Sequence, residues 1–339
     1  MAALAACAWL LAAFAIALSL ARAAIAYANW RGLLDRPGHR RSHRVPTPRG
    51  GGIGIVVALL VCVPLVLADV WPSGLIGSWM ACLALVACVG WLDDHRSLPV
   101  LPRLAVQVLA AGWFSAVLLS GSASWWWLLL LVPAGVWSIN LHNFMDGIDG
   151  LLAVQALFVA TGLALLAWSR GASGLALALA VLACAALGFW ICNRPPARIF
   201  MGDVGSGSVG WAIFAFTAMV WRTDPALIWP ALVLSSAFVV DAGLTLLSRM
   251  LHGRRWYAAH REHVYQWLVR RGATHGQVGG GYLAWNFVVA APLAWLAVVH
   301  PSSGIALTMG AYVLAGLAWL LLKRRLVHRS PRKVRHAAA

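Results

Sequence analysis

Charge is what this sequence has least of. Lys, Arg, Asp and Glu make up 11% of its 339 residues, and only ten residues are acidic. Soluble domains carry about 25% charged residues, so a water-exposed globule is excluded. With 62% hydrophobic residues and a mean hydropathy of +0.80, the chain reads as an integral membrane protein. Paired cysteines are also missing. Cys7, Cys62, Cys82, Cys88, Cys184 and Cys192 fall in apolar runs with no CxxC spacing, which excludes a disulfide framework or a cysteine zinc site. They read as small buried apolar residues. The HExxH pattern of a zinc protease is absent. The apolar runs do not alternate over short segments, which excludes a membrane barrel. The first of them lacks a basic start and is too long for a signal-peptide core, so it is read as a retained span.

What is present is a series of eleven apolar stretches. They run over about 3–27, 53–70, 75–92, 103–120, 125–141, 150–168, 174–192, 207–221, 227–250, 281–299 and 304–322, against the roughly 20 residues a membrane helix needs. Twenty-three of the 26 basic residues fall in alternate connections or the C-terminal tail. The positive-inside rule then places the N-terminus outside and the C-terminus in the cytoplasm. The net charge of +16 reads as topology and attraction to anionic headgroups, with no nucleic acid required. Trp71, Trp125, Trp126, Trp127, Trp221 and Trp229 mark the outer interface. The outer connections are too short to build a binding domain. Asp93, Asp94, Asp146, Asp149, Asp203, Asp241 and Glu262, with ten of the eleven histidines, fall on the inner side. This segregation implies one cytoplasm-facing site.

Four motifs carry chemistry. Trp91-Leu92-Asp93-Asp94-His95-Arg96 ends the third span; adjacent carboxylates repel unless a cation is near, and Arg103, which follows, is a natural phosphate fork or an interfacial anchor. Ser138–Leu152, SINLHNFMDGIDGLL, sets Asn140, Asn143, Asp146 and Asp149 three residues apart. On a helix that spacing makes one slowly rotating stripe of hard oxygen donors suited to Mg²⁺, and Gly147 and Gly150 allow a turn or a close approach. Arg198–Ser208, RIFMGDVGSGS, offers an acid among free N–H groups at a helix start, a setting for an anion or a flexible connection. The inner loop 251–280 carries His260-Arg261-Glu262-His263-Val264-Tyr265 among arginines, and fits a nucleotide diphosphate better than zinc. The first basic loop, with Arg40, Arg41, Arg44 and Arg49 around Pro46-Thr47-Pro48, either closes over the same ligand or fixes topology.

Taken in order, DD, NxxNxxDGxDG, MGDxGS and HxxH on alternate inner loops resemble the polyprenyl-phosphate N-acetylhexosamine-1-phosphate transferases, glycosyltransferase family 4, over about residues 30–280. HRRSHRVPTPRGGGI and AHREHVYQ look most like the O-antigen-initiating, undecaprenyl-phosphate N-acetylglucosamine-1-phosphate transferase branch. The resemblance implies that Asn143 and Asp203 hold Mg²⁺, with Mn²⁺ the alternative metal, and that Asp93 and Asp94 lie by the lipid phosphate. It implies that Asp146 serves catalysis through metal placement or nucleotide-sugar binding. Arg103 would hold a phosphate, Asn140 and Asp149 would belong to the substrate site, and His260 and His263 would meet the diphosphate or sugar. The implied partners are undecaprenyl phosphate, a UDP-N-acetyl-sugar and membrane lipids, with a homodimer left open. Two departures stand out: Ser97 replaces the third acid of DDxxD, and His-Arg-Glu-His replaces the triple-histidine loop of the muramoyl-pentapeptide enzymes.

The expectation is therefore an all-α polytopic bundle of about eleven transmembrane helices in the bacterial inner membrane. Residues 1–322 form one catalytic domain and 323–339 a basic cytoplasmic tail. Two rivals are an intramembrane prenyltransferase, which would need a second Asp-rich motif, and an ion-coupled transporter, which would place acids at mid-membrane.

Overall fold

The computed structural model describes residues 2–35, 46–121, 124–255 and 260–328. Arg40, Arg41 and Arg44 of the first loop, and the tail from 329, lie outside the described residues. Helices follow each apolar run: α1 (Ala2–Arg31), α2 (Ile53–Leu67), α3 (Ser73–His95), α4 (Val100–Leu118), α5 (Leu128–Met145), α6 (Leu151–Ser169) and α7 (Ser173–Asn193). They continue as α8 (Gly202–Thr223), α9 (Ile228–Leu234), α10 (Ser236–Leu251), α11 (Val264–Arg270), α12 (His275–Trp285), α13 (Ala291–Val299) and α14 (Gly304–His328). A two-stranded antiparallel ribbon, β1 (Leu34–Asp35) with β2 (Thr47–Pro48), is the one sheet among the described residues.

By length and composition, nine helices among the described residues can cross a membrane, α12 and α13 counting as one through a π-helical turn at Asn286–Ala290. The expected span 227–250 is instead the pair α9 and α10, bent by 71°. The expected span 53–70 forms only the 15-residue α2, about 22 Å at 1.5 Å per residue and short of a bilayer core. Its membrane run is cut where Ala68 and Asp69 lead into the turn. The cysteines are all free, but Cys7 and Cys88 face outward, so only some are buried.

The bundle is built around α8, the most buried of these helices. Its small residues Gly205, Ser206, Gly207, Ser208 and Gly210 let neighbouring backbones approach closely, as in other lipid-embedded helices. Deeper in the membrane its bulk returns. Trp211 meets Trp79 of α3 edge-on at 5.3 Å and Phe114 of α4 at 5.7 Å, pinning three helices together. The stretch Pro48–Gly52 is laced by backbone hydrogen bonds to the segment that enters α8: Phe200 N–H donates to Pro48 O at 2.8 Å, and Gly51 and Gly52 N–H donate to Phe200 and Met201 O at 3.0 and 2.9 Å. At the opposite end Trp126 stacks on Trp127, which meets Trp221 at 4.9 Å.

Candidate active site

The sequence alternates direction at each short connection, so the C-terminal ends of α3, α5 and α10 and the N-terminal ends of α4, α6 and α8 share one face of the bundle. Asp94 ties two of them. Its Oδ1 accepts from Asp203 N–H at 2.9 Å and its Oδ2 from Val204 N–H at 3.1 Å. The same Oδ1 accepts from Arg49 at 2.6 and 3.0 Å. The glycine-rich start of α8 is thus neither a loose connection nor open to an incoming anion. Its first N–H groups are taken by a carboxylate of the protein itself, which suits the positive end of the helix dipole. Gly202 makes this possible: its φ is +76°, and a Cβ there would sit 2.6 Å from Asp94 Oδ2.

Asp93 points the other way. Its Oδ1 accepts from Leu98 N–H at 2.6 Å and its Oδ2 from Arg103 Nη1. Arg103 therefore reaches the site already aimed by a carboxylate. On α5, Asn143 Nδ2 donates to Asp203 Oδ1 at 2.6 Å and to Ser206 Oγ at 3.1 Å. Asn140 donates to Gln107 Oε1 at 2.6 Å, tying α5 to α4. Asp93, Arg103, Gln107, Asn143 and Asp203 line one small cavity between α3, α4, α5 and α8.

The Asn/Asp stripe is not one helical face. The helix α5 ends at Met145, Asp146 caps it with ψ +49°, and Gly150 at φ +77° starts α6. Asn140 and Asn143 remain on the helix, while Asp149 lies beyond the turn. There it accepts from Ala197 N–H at 3.1 Å and pairs with His275 Nδ1 at 3.1 Å, which makes it a tie between loops. Asp146 is different: among the described residues its carboxylate has no hydrogen-bond or ion-pair partner. It is only partly open to solvent, and burial, then the charges of Asp203, Asp94 and Asp149, push its pKa well above the ordinary carboxylate range.

A hard divalent cation fits this set. The carboxyl groups of Asp93 and Asp203 adjoin, and like charges that close call for a proton or a cation. A flip of the Asn143 amide would turn its oxygen toward Asp203, since the assignment of amide N and O follows the hydrogen-bond network. No group of three or more His, Cys, Asp or Glu among the described residues forms a ready cage. Mg²⁺ commonly takes one or two carboxylates and completes its shell with water and substrate phosphate.

His260 and His263 approach from the loop between α10 and α11. Their rings lie 4.9 Å apart, and His263 stacks on Phe144, 6.3 Å away, beside the Asp146 turn. The Nδ1 atoms of both are buried without a hydrogen-bond partner. Burial, then the neighbouring His263 and Arg249, bring the His260 pKa down to about 4. Burial lowers that of His263 as well, against an opposing pull from Asp241. Both imidazoles are neutral at pH 7, so they are hydrogen-bonding groups and not the cations that the basic loop suggests. Glu262 fixes this loop by accepting from Arg249 and from Arg254, the latter at 3.1 Å.

Sequence reasoning did not pick out Arg49 as the partner of Asp94, Ser206 as that of Asn143, or the anchoring role of Asp241 on α10. Asp241 stands alone in the apolar run SSAFVVDAGLTLL, and a lone acid at membrane depth is itself a signal.

Residues 76–221, which carry Asp93, Asp94, Arg103, Asn140, Asn143, Asp146, Asp149 and Asp203, match the family model described as Glycosyl transferase family 4. The chain is 29% identical over 336 residues to the decaprenyl-phosphate N-acetylglucosaminephosphotransferase of Mycobacterium leprae (strain TN), covering 85% of this chain and 83% of that one. It is 26% identical over 266 residues to the undecaprenyl-phosphate alpha-N-acetylglucosaminyl 1-phosphate transferase of Escherichia coli (strain K12), at 73% and 71% coverage. The phospho-N-acetylmuramoyl-pentapeptide-transferase of Streptococcus suis (strain 05ZYH33) is 28% identical over 230 residues, at 62% and 68% coverage. Motif order, the gathering of those motifs on one face and similarity that runs through most of the chain agree: this protein is similar to glycosyl transferase family 4 and to its polyprenyl-phosphate N-acetylglucosamine phosphotransferases.

Proposed function

We propose that this protein is a Mg²⁺-dependent phosphoglycosyl transferase that moves an N-acetylhexosamine 1-phosphate from a UDP-sugar to undecaprenyl phosphate. It would thereby start O-antigen or another cell-envelope polysaccharide. The observation that carries the reading is the shared cavity of Asp93, Arg103, Asn143 and Asp203, drawn from four helices. The relatives named above, which act on decaprenyl or undecaprenyl phosphate by name, support the reaction type.

An oxygen of the lipid phosphate attacks the β-phosphorus of the UDP-sugar, the bond to the bridging oxygen breaks, and UMP leaves with that oxygen. An ionised phosphate needs no base. Two anions must meet, so positioning and charge neutralisation carry most of the catalysis. Arg103, aimed by Asp93, binds a phosphate. Mg²⁺ held by Asn143 and Asp203 would supply neutralisation of the diphosphate. Asp93 and Asp94 both have their oxygens engaged, which favours positioning over proton abstraction. Neutral His260 and His263 would donate to or accept from the sugar and diphosphate. The site faces the cytoplasm of a bacterial inner membrane, where the basic residues cluster.

The test is UMP release by purified protein given undecaprenyl phosphate and a panel of UDP-sugars, UDP-N-acetylglucosamine among them. Turnover with at least one N-acetylhexosamine donor, dependent on Mg²⁺, is expected. No release with any donor, from folded protein, would sink the reading.

A further inference from the structure

The histidine-bearing loop is not held by its own residues alone. It is hydrophilic and rich in arginine, yet Val264, Tyr265 and His263 are almost fully buried. The group that meets the backbone N–H groups opening α11 comes from another helix. Asp241 of α10, itself 3% exposed, accepts from Val264 N–H at 2.9 Å and from Tyr265 N–H at 3.4 Å. These are the first two N–H groups of α11, which a helix leaves without an intrahelical partner. Thr245 Oγ1 at 3.3 Å, Tyr282 Oη of α12 at 2.6 Å and Trp319 Nε1 of α14 at 3.2 Å donate to the same carboxylate. Five neutral donors from four helices surround one buried charge, and His263 Nδ1 stands 4.0 Å away.

The network continues toward the site. Tyr265 Oη donates to Phe144 O at 2.8 Å, at the end of α5. The same hydroxyl lies where a Cβ on Gly147 would come within 2.1 Å, so only glycine at 147 lets the tyrosine lie against this turn. Asp146 sits between those two contacts.

We propose that Asp241 is a positioning residue for the nucleotide-sugar side of the site. It caps α11 from α10, and through Tyr265 it holds both His263 and the Phe144–Gly147 turn that carries Asp146. This rests on the transferase reading above for its kinetic consequence, but not for its structural one. It also gives α12 and α14 a function: through Tyr282 and Trp319 they fix the orientation of the carboxylate.

An ionised carboxylate offers about four acceptor positions and no donor, whereas an amide turns one oxygen into a donor. Asp241→Asn keeps the volume but leaves at least one of the α11 N–H groups or ring donors facing an N–H₂ group. Tyr265→Phe keeps the ring against Gly147 and removes only the bond to Phe144.

The experiment uses the full chain in lipid nanodiscs and has two arms. Hydrogen exchange resolved to residues 260–270 reads the capping directly, without substrate. Asp241→Asn is expected to speed exchange at Val264 and Tyr265, while α8 stays protected. In the kinetic arm, Asp241→Asn is expected to raise KM for the UDP-sugar about tenfold, one lost hydrogen bond to a charged group, with KM for undecaprenyl phosphate unchanged. Tyr265→Phe should shift the same constant in the same direction by less. Unchanged exchange at 264–265 would overturn the capping. Changed exchange with both KM values at the wild-type level, or a shift confined to the lipid, would overturn the positioning role. If the wild-type protein uses no UDP-sugar, the transferase reading fails while the exchange arm still decides whether Asp241 holds the loop.

Discussion

The carboxylate of Asp94 sits on the N-terminus of α8, 2.9 Å from the backbone nitrogen of Asp203. One member of the acidic pair that ends α3 thereby fixes the backbone of the acid that opens α8. The other member, Asp93, holds Arg103. Neighbours in sequence have separate jobs because successive side chains on a helix point about 100° apart, one toward α8 and one toward α4.

Asp94 is accordingly an anchor. Asp94→Asn places an N–H₂ among donors from Asp203, Val204 and Arg49, and is expected to cost about 1–3 kcal/mol in a detergent-solubilised thermal melt. Arg49→Gln should cost less, because Arg49 is 29% exposed. Residual turnover in Asp94→Asn should keep the wild-type Mg²⁺ requirement. A melt identical to wild type would remove the anchor.

For the histidines the sign is set by a lowered folded pKa. The folded state binds fewer protons than the unfolded chain between the ordinary value of 6.5 and about 4, so stability falls as pH drops through that window. His260→Gln should flatten the loss of Tm between those values. His263→Gln should also keep more activity than His263→Ala, since the proposed role of His263 is that of a neutral hydrogen-bonding group. Equal loss in both His263 variants would contradict this.

Asp146 runs the opposite way. Its folded pKa is raised, so the folded state binds more protons than the unfolded chain above the ordinary value, 3.8, and stability declines as pH rises through the folded value. Asp146→Asn should therefore melt higher than wild type near neutral pH in the absence of divalent cation, while losing most turnover. Lower stability together with lower turnover would mean that the carboxylate has a structural partner.

These roles divide into what local pattern carries and what it does not. The apolar runs predict the helices because lipid forces every backbone group to bond within its own segment. The gathering of Asp93, Arg103, Asn143 and Asp203 is legible because each stands at the same-side end of its run. The capping of α8 by Asp94 is not, since it joins residues 109 apart and no spacing encodes it. Nor is the break at Asp146: three-residue spacing fits a helix equally well until Gly147 has to admit Tyr265. The 71° bend between α9 and α10 falls at Ser235, with no proline or glycine to mark it.

The orientation rests on α2 crossing the membrane despite its 15 residues. Reporter fusions after Val70 and Ser173 are expected to read as external, and fusions after Arg96 and Arg255 as cytoplasmic. A cytoplasmic result after Val70 would show that α2 is re-entrant and that the helices from α3 onward run the other way.

The proposed Mg²⁺ site gives the sharpest separation of roles. Asn143 and Asp203 are in contact at 2.6 Å, and the adjoining Asp93 is already committed to Arg103 and Leu98. Of that adjoining pair, Asp203 is thus the carboxylate whose charge remains for a cation. Asp203→Asn keeps the shape and the backbone N–H that Asp94 accepts, so folding should be close to wild type. Turnover should fall at least about a hundredfold, as when a charge-stabilising group is removed from a reacting centre, and any residual rate should need more Mg²⁺. Asn143→Ala should shift the Mg²⁺ titration the same way, whereas Asp149→Asn, tied to Ala197 and His275, should lower stability and leave the Mg²⁺ midpoint in place. The measurement is Mg²⁺ titration of UMP release for each variant beside its thermal melt. Wild-type Mg²⁺ dependence in folded Asp203→Asn would mean that the cation is held by other groups.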